Sequence, residues 1–126
     1  MTTTRLSAHD LIDGWGRLWN GELGLAPWLV TDDFTIRFGN PALAADADAL
    51  RGPEALAEFI GAFRAGRDGL RYATTVERSG PGHAVCVWRA DDDAAGVRVG
   101  GIDVFDLGDD GRAAHVWSVT AGRPLA

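Results

Sequence analysis

The chain changes texture after Gly69, and that change limits the fold more than any other feature. Before it, apolar residues recur at helical spacing; after it, four runs read as strands joined by short turns. The runs are Leu70 to Arg78, His83 to Ala90, Val97 to Leu107 and Ala113 to Thr120. Ser79-Gly80-Pro81-Gly82, the acidic turn at Asp91-Asp92-Asp93 and Gly108-Asp109-Asp110-Gly111 link them. Connections this short make antiparallel neighbours, because a parallel crossover needs a dozen or more residues. The second half is therefore expected to be a four-strand antiparallel meander.

The first half supplies the helices. Ser7 opens one, with Asp10 three residues on as an Asp version of the capping box. Ala8, Leu11, Ile12, Trp15, Leu18 and Trp19 then form one apolar face, and Asn20-Gly21 ends it. Pro27 suits the first turn of a short second helix through Trp28, Leu29 and Val30. Phe34-Thr35-Ile36-Arg37-Phe38 alternates, so it reads as an early strand with Phe34, Ile36 and Phe38 inward. Residues 40–51 have no period and read as a loop placed to cover a pocket. Gly52-Pro53-Glu54 starts a third helix with Leu56, Phe59, Ile60 and Phe63 as its buried stripe, and Arg64 and Gly66 as stop signals. Helices gathered on one face of a largely antiparallel sheet define an α+β fold. A chain of 126 residues suits one domain, 1–126.

Composition removes several functions. Net charge is −6, which opposes a general affinity for nucleic acid. All twelve basic residues are Arg, so a Schiff-base lysine is excluded. Cys86 is the lone cysteine, which leaves no intrachain disulfide and no Cys-based zinc site. His9, His83 and His115 lack metal-triad spacing, and neither a Gly-x-Ser-x-Gly elbow nor a Gly-rich phosphate loop is present. No metal and no cofactor are expected. No run of about 18 apolar residues occurs, and Met1-Thr2-Thr3-Thr4-Arg5 has no apolar signal core, so the expectation is a cytoplasmic protein with no membrane partner.

One residue resists this bland picture. In the third run, strand alternation puts Val99, Gly101, Asp103, Phe105 and Leu107 on one face, apolar but for the acid. Desolvation raises the pKa of such a carboxyl, which suits a general acid or proton shuttle near neutral pH. The competing reading is that Asp103 bonds an indole N–H or an Arg and holds the core together. Trp15, Trp19 and Trp28 are either ordinary core or, as a set, an aromatic wall for a flat ligand. Arg37 and Arg98 alternate away from the apolar faces. Arg89 shares parity with Val85 and Val87, and the sequence leaves open whether Arg89 or Trp88 faces the hollow.

Three stretches, in order, resemble the SnoaL-like and ketosteroid-isomerase-like domains of the nuclear transport factor 2-like superfamily. They are Trp15-Gly16-Arg17-Leu18-Trp19-Asn20-Gly21-Glu22 with Leu29 to Ile36; Leu50-Arg51-Gly52-Pro53-Glu54-Ala55-Leu56; and Gly101-Ile102-Asp103-Val104-Phe105-Asp106-Leu107 followed by Gly111-Arg112. The resemblance implies a cone-shaped barrel: a curved, mostly antiparallel sheet wrapped around N-terminal helices, with a pocket at its open end, usually in a homodimer. It places Asp103 where ketosteroid isomerases keep a protonated carboxyl, Trp15 where they keep its partner tyrosine, and Phe38 where they keep the aspartate base. Steroid isomerisation by that route therefore lacks its base.

Asp103 and Trp15 are accordingly the candidate catalytic pair. Trp19, Trp28, Phe34, Phe38, Phe59, Phe63, Phe105, Val116 and Ser118 are the candidate substrate wall. Family parity turns Val116 and Ser118 to the pocket, and Trp117 with His115 to a partner subunit; Trp117 under a loop of its own chain is the alternative. The expected activity is cofactor-independent cyclisation, isomerisation or dehydration of a hydrophobic, polyketide-like or terpenoid-like metabolite. Epoxide hydrolysis needs a second inward carboxylate, and Asp106 has the wrong parity. A non-catalytic ligand-binding or dimerisation module of the same fold is the alternative.

Overall fold

A computed structural model describes residues 5–125; residues 1–4, in the segment read as lacking a signal core, and Ala126 lie outside the described residues. Helix α1 (Ala8–Trp19) starts at Ser7, whose hydroxyl accepts from the Asp10 backbone N–H at 3.1 Å. A single turn at Leu23–Leu25 leads into α2 (Ala26–Leu29) and strand β1 (Val30–Phe38). Helix α3 (Pro41–Ala47) and helix α4 (Gly52–Arg64) follow. Then come β2 (Arg71–Gly80), β3 (His83–Asp92), β4 (Val97–Leu107) and β5 (Ala113–Ala121).

The loop expected at 40–51 is thus in part a helix. Only Ala47 of α3 is buried, so no apolar period could announce it. Its signals are local: Asn40 caps it, accepting from the Ala42 N–H at 3.0 Å, Pro41 sits in the first turn, and four of the other six residues are alanines.

The strand order is β1-β5-β4-β3-β2. The meander is antiparallel throughout, and β1 joins it by pairing parallel with β5. The sheet does not close; β1 and β2 are its edges. Register shifts that leave extra residues in β1, β2 and β5 bend those strands, and the curved sheet is completed as a cone by helices, α1 against β2 and α4 against β1. α1 approaches β2 closely because Gly16 has no side chain: a Cβ there would stand 3.0 Å from the Thr74 hydroxyl. Thr74 in turn donates to the Ile12 carbonyl at 3.0 Å.

Two polar side chains fasten the helices to the strands. Asn20 accepts from the Tyr72 N–H at 2.7 Å and donates to the Tyr72 carbonyl at 3.0 Å, pairing backbone groups that edge strand β2 leaves open. Arg64 donates to the carbonyls of Trp19 and Leu70 at 2.9 and 3.0 Å, tying the ends of α1 and α4 to the start of β2. Both residues read in the sequence only as helix stops.

Candidate functional site

Rows of residues paired across the sheet show how far the cone is filled. Ile36, Val116, Phe105 and Ala84 form one row, and all four are buried. The next row is Phe38, Ser118, Asp103 and Cys86, and the one beyond it is Thr120, Gly101, Trp88 and Thr74. The first row is packed solid beneath α1. Over the other two opens a cavity of about 280 Å³, walled at its inner end by Trp15, Trp88, Asp103 and Ser118. Trp19, Phe38, Phe63 and Tyr72 line its side, and Asn40 and Leu43 bring α3 to its mouth.

Asp103 is 4% exposed. The Trp15 indole donates to its Oδ2 at 2.8 Å, and the Trp88 indole donates to its Oδ1 at 3.0 Å. Ser118, directly opposite on β5, gives it a third polar neighbour. Burial raises the carboxyl above its ordinary pKa, and the hydrogen bonds from Ser118, Trp15 and Trp88, which favour the charged form, pull against that rise. Burial also pushes the Tyr72 phenol up to about 12, so it stays protonated as a hydrogen-bonding group. The Cys86 thiol is raised by burial and by the Asp103 charge, which leaves it an inert core residue.

The structure divides the expected wall. Trp15, Trp19, Phe38, Phe63, Asp103 and Ser118 border the cavity. Phe34 and Phe105 instead pack on Trp15 at ring distances of 6.2 and 5.3 Å; both are fully buried, and Phe105 and Val116 belong to the filled row. Phe59 lies behind the wall, stacked on Phe38 at 5.5 Å. Strand parity had put Phe34, Phe105 and Val116 on the correct face, but parity says nothing of depth, and a cone fills from its narrow end. Trp28 is a plain correction. It is 74% exposed and belongs to no part of the cavity. In a four-residue helix only Ala26 and Leu29 reach the core, and Trp28 falls on the outer side.

Arg89 does not meet Asp103; it pairs with Asp91 at 3.0 Å, and Arg37 and Arg98 are exposed. Trp88 takes the inward position, because Ala84, Cys86, Trp88 and Ala90 form the buried face of β3. The small residues among them were the available signal. His9 and His83 are exposed, and no group of three or more His, Cys, Asp or Glu is placed to hold a metal among the described residues. No helix among the described residues is long and apolar enough to cross a membrane.

No protein-family model and no curated protein matches the sequence. Solved structures do match the shape. A candidate isomerase of the SnoaL-like family from Agrobacterium tumefaciens superposes with a TM-score of 0.71 at 20% identity, over 89% of this chain and 95% of the other. A candidate polyketide cyclase from Acidithiobacillus ferrooxidans gives 0.69 at 14% identity, over 91% of both chains. The chain has the nuclear transport factor 2-like fold. A candidate SnoaL-like polyketide cyclase from Jannaschia has the same NTF2-like fold, at a TM-score of 0.63 and 23% identity, over 87% of this chain and 79% of that one. At these identities the likeness speaks for the fold alone. The chemistry of this NTF2-like domain rests on its own residues.

Proposed function

We propose that the NTF2-like cavity takes a small apolar metabolite and that Asp103 moves a proton on it without a cofactor. Cyclisation, isomerisation or dehydration of a polyketide-like or terpenoid-like compound fits this chemistry. The observation that carries the reading is a carboxyl 4% exposed at the wall of an otherwise largely apolar cavity. Protonated, it donates to a carbonyl or hydroxyl oxygen of the ligand. The carboxylate it becomes is met by two indole N–H groups already in place, so the charge forms where donors are preorganised. A cavity near 280 Å³ lies at the lower edge of the roughly 300–1,000 Å³ usual for ligand sites, which favours a one- or two-ring ligand. Epoxide hydrolysis remains disfavoured, since Asp106 is exposed on the other face of β4.

A second reading rests on the same hydrogen bonds. Both Asp103 oxygens already accept an indole N–H, as a purely structural carboxylate would. A non-catalytic binding pocket follows from it. Apolar mono- and bicyclic ketones such as decalones, incubated with the protein in D2O, separate the two by mass spectrometry. The catalytic reading expects deuterium at carbon beside the carbonyl with the parent protein and not with Asp103→Asn. If both proteins quench their tryptophan fluorescence with the ketone and neither exchanges, the site only binds.

The homodimer belongs to the same proposal. Ile102, Trp117 and Val119 are exposed together on the outer face of β4 and β5. Beside them His115 contacts Thr35 through Nδ1, while its Nε2 is a buried polar atom with no partner among the described residues. A second copy over this face would cover the apolar patch and supply that partner.

A further inference from the structure

Asp103 and Trp88 are not direct cross-strand partners. Trp88 pairs with Gly101, and Asp103 pairs with Cys86, so the indole must reach diagonally across β4 to the carboxyl. Gly101 makes that reach possible. A Cβ on it would run into the six-membered ring of Trp88 and into the Val119 carbonyl. Without a side chain at 101, the indole lies over the β4 backbone and delivers its N–H to Oδ1 at 3.0 Å. Trp15 reaches Oδ2 from the opposite side, from α1. The two donors therefore come from different layers of the fold, and each engages a different oxygen.

We propose that Trp88 is a positioning residue for Asp103, laid across Gly101 so that it and Trp15 hold the carboxyl as a two-point clamp. This deepens the proton-transfer reading and rests on it. Without the Trp88 N–H, Oδ1 loses its indole donor, and the carboxyl can tilt about the hydrogen bond that Trp15 makes to Oδ2 and meet a ligand at other angles. Fixed at both, it keeps one plane, and its remaining lone pairs or its proton keep one direction relative to the cavity. Neither Trp88 nor Gly101 need touch the ligand's reacting atoms for this. Tyr72 also packs on Trp88, with ring centres 5.5 Å apart, and gives the indole a second aromatic contact.

Trp88→Phe keeps an aromatic ring in place and removes only the donor. The Asp103 carboxyl, followed by carbon-13 NMR, is expected to titrate at higher pH than in the parent, because the charged form has lost a hydrogen bond. Trp28→Phe, on the exposed surface, is the control and leaves the midpoint unmoved. Gly101→Ala displaces the Trp88 ring and gives the same upward shift with the indole still present. Combining Gly101→Ala with Trp88→Phe adds nothing further, since both act on one contact. Should Gly101→Ala fail to fold, Trp88→Phe alone decides. An unmoved midpoint in Trp88→Phe overturns the clamp, even where Asp103→Asn abolishes deuterium exchange and the proton-transfer reading stands. A raised midpoint with exchange intact in Asp103→Asn keeps the clamp and removes its catalytic purpose.

Discussion

The indole nitrogen of Trp15 stands 2.8 Å from Oδ2 of Asp103, although 88 residues separate them in the chain. The bond joins the first helix to the fourth strand at the point where the packed end of the cone gives way to its cavity.

Trp15→Phe keeps most of the ring and leaves Oδ2 of a buried carboxyl one donor short. The expected loss is about 1–3 kcal/mol, the cost of leaving a buried polar group unpaired. Urea denaturation measures it. The same substitution in the Asp103→Asn background should cost less, since a neutral amide is less penalised by the missing donor. Equal costs in the two backgrounds would show that Trp15 matters only as packing.

The raised pKa of Asp103 makes a signed prediction for stability against pH. In the unfolded chain the carboxyl titrates near 3.9, and in the fold it titrates higher because burial disfavours the charge. Below the unfolded value both states hold the proton and there is no penalty. As pH rises from there through the folded value, the folded state holds more proton than the unfolded one, so stability falls; above the folded value it is level. Asp103→Asn cannot titrate. The stability of the parent minus that of Asp103→Asn should therefore decline from about pH 4 upwards and then flatten. Thermal melts of both proteins across the acid-to-neutral range test this, and parallel curves would refute it.

Trp28→Ala should alter stability by no more than about 0.5 kcal/mol, the usual limit for a surface change. Ile60→Ala, at a fully buried position of α4, should cost about 2–5 kcal/mol. Denaturant midpoints distinguish the pair. A large loss at Trp28 would mean that the second helix packs more of its length than the core indicates.

Gly111 has φ +86°, and a Cβ there would collide with the backbone carbonyl of Leu6. Gly111→Ala should cost at least about 1–3 kcal/mol and loosen the approach to α1, where the Leu6 N–H donates to the Asp110 carbonyl at 2.8 Å. Amide exchange at Leu6 and Leu11 is the local readout, and unchanged protection would count against the link.

Charge on the outer sheet tests the dimer. Trp117→Glu with Val119→Glu places two acids on the exposed apolar face and should leave the cavity side of β5 intact. Light scattering should report a dimer for the parent and a monomer for the variant. A monomeric parent would leave the patch without the cover proposed for it.

Much of this was legible before any coordinates. The alternation after Gly69, the helical spacing before it and the turn residues between are local signals, and strands and helices form where local backbone and burial preferences agree. The inward direction of Asp103 followed from parity alone. Other features were not legible because they depend on depth or on contact between distant segments. Parity placed Phe34, Phe105 and Val116 on the cavity side, yet they are filling. Helix α3 buries one residue and so carried no period. Trp88 was left undecided against Arg89, since each occupies a defensible face of β3 until the sheet bends.

The order of residues determined the element types, the antiparallel meander and the isolation of one acid on an apolar strand face, because each of these is set by spacing along the chain. The tertiary structure decided which aromatic rings fill the cone and which border its cavity, and that two indoles from different layers converge on Asp103. Those outcomes depend on how layers stack and how much volume each leaves to the next, and no spacing along the backbone encodes that.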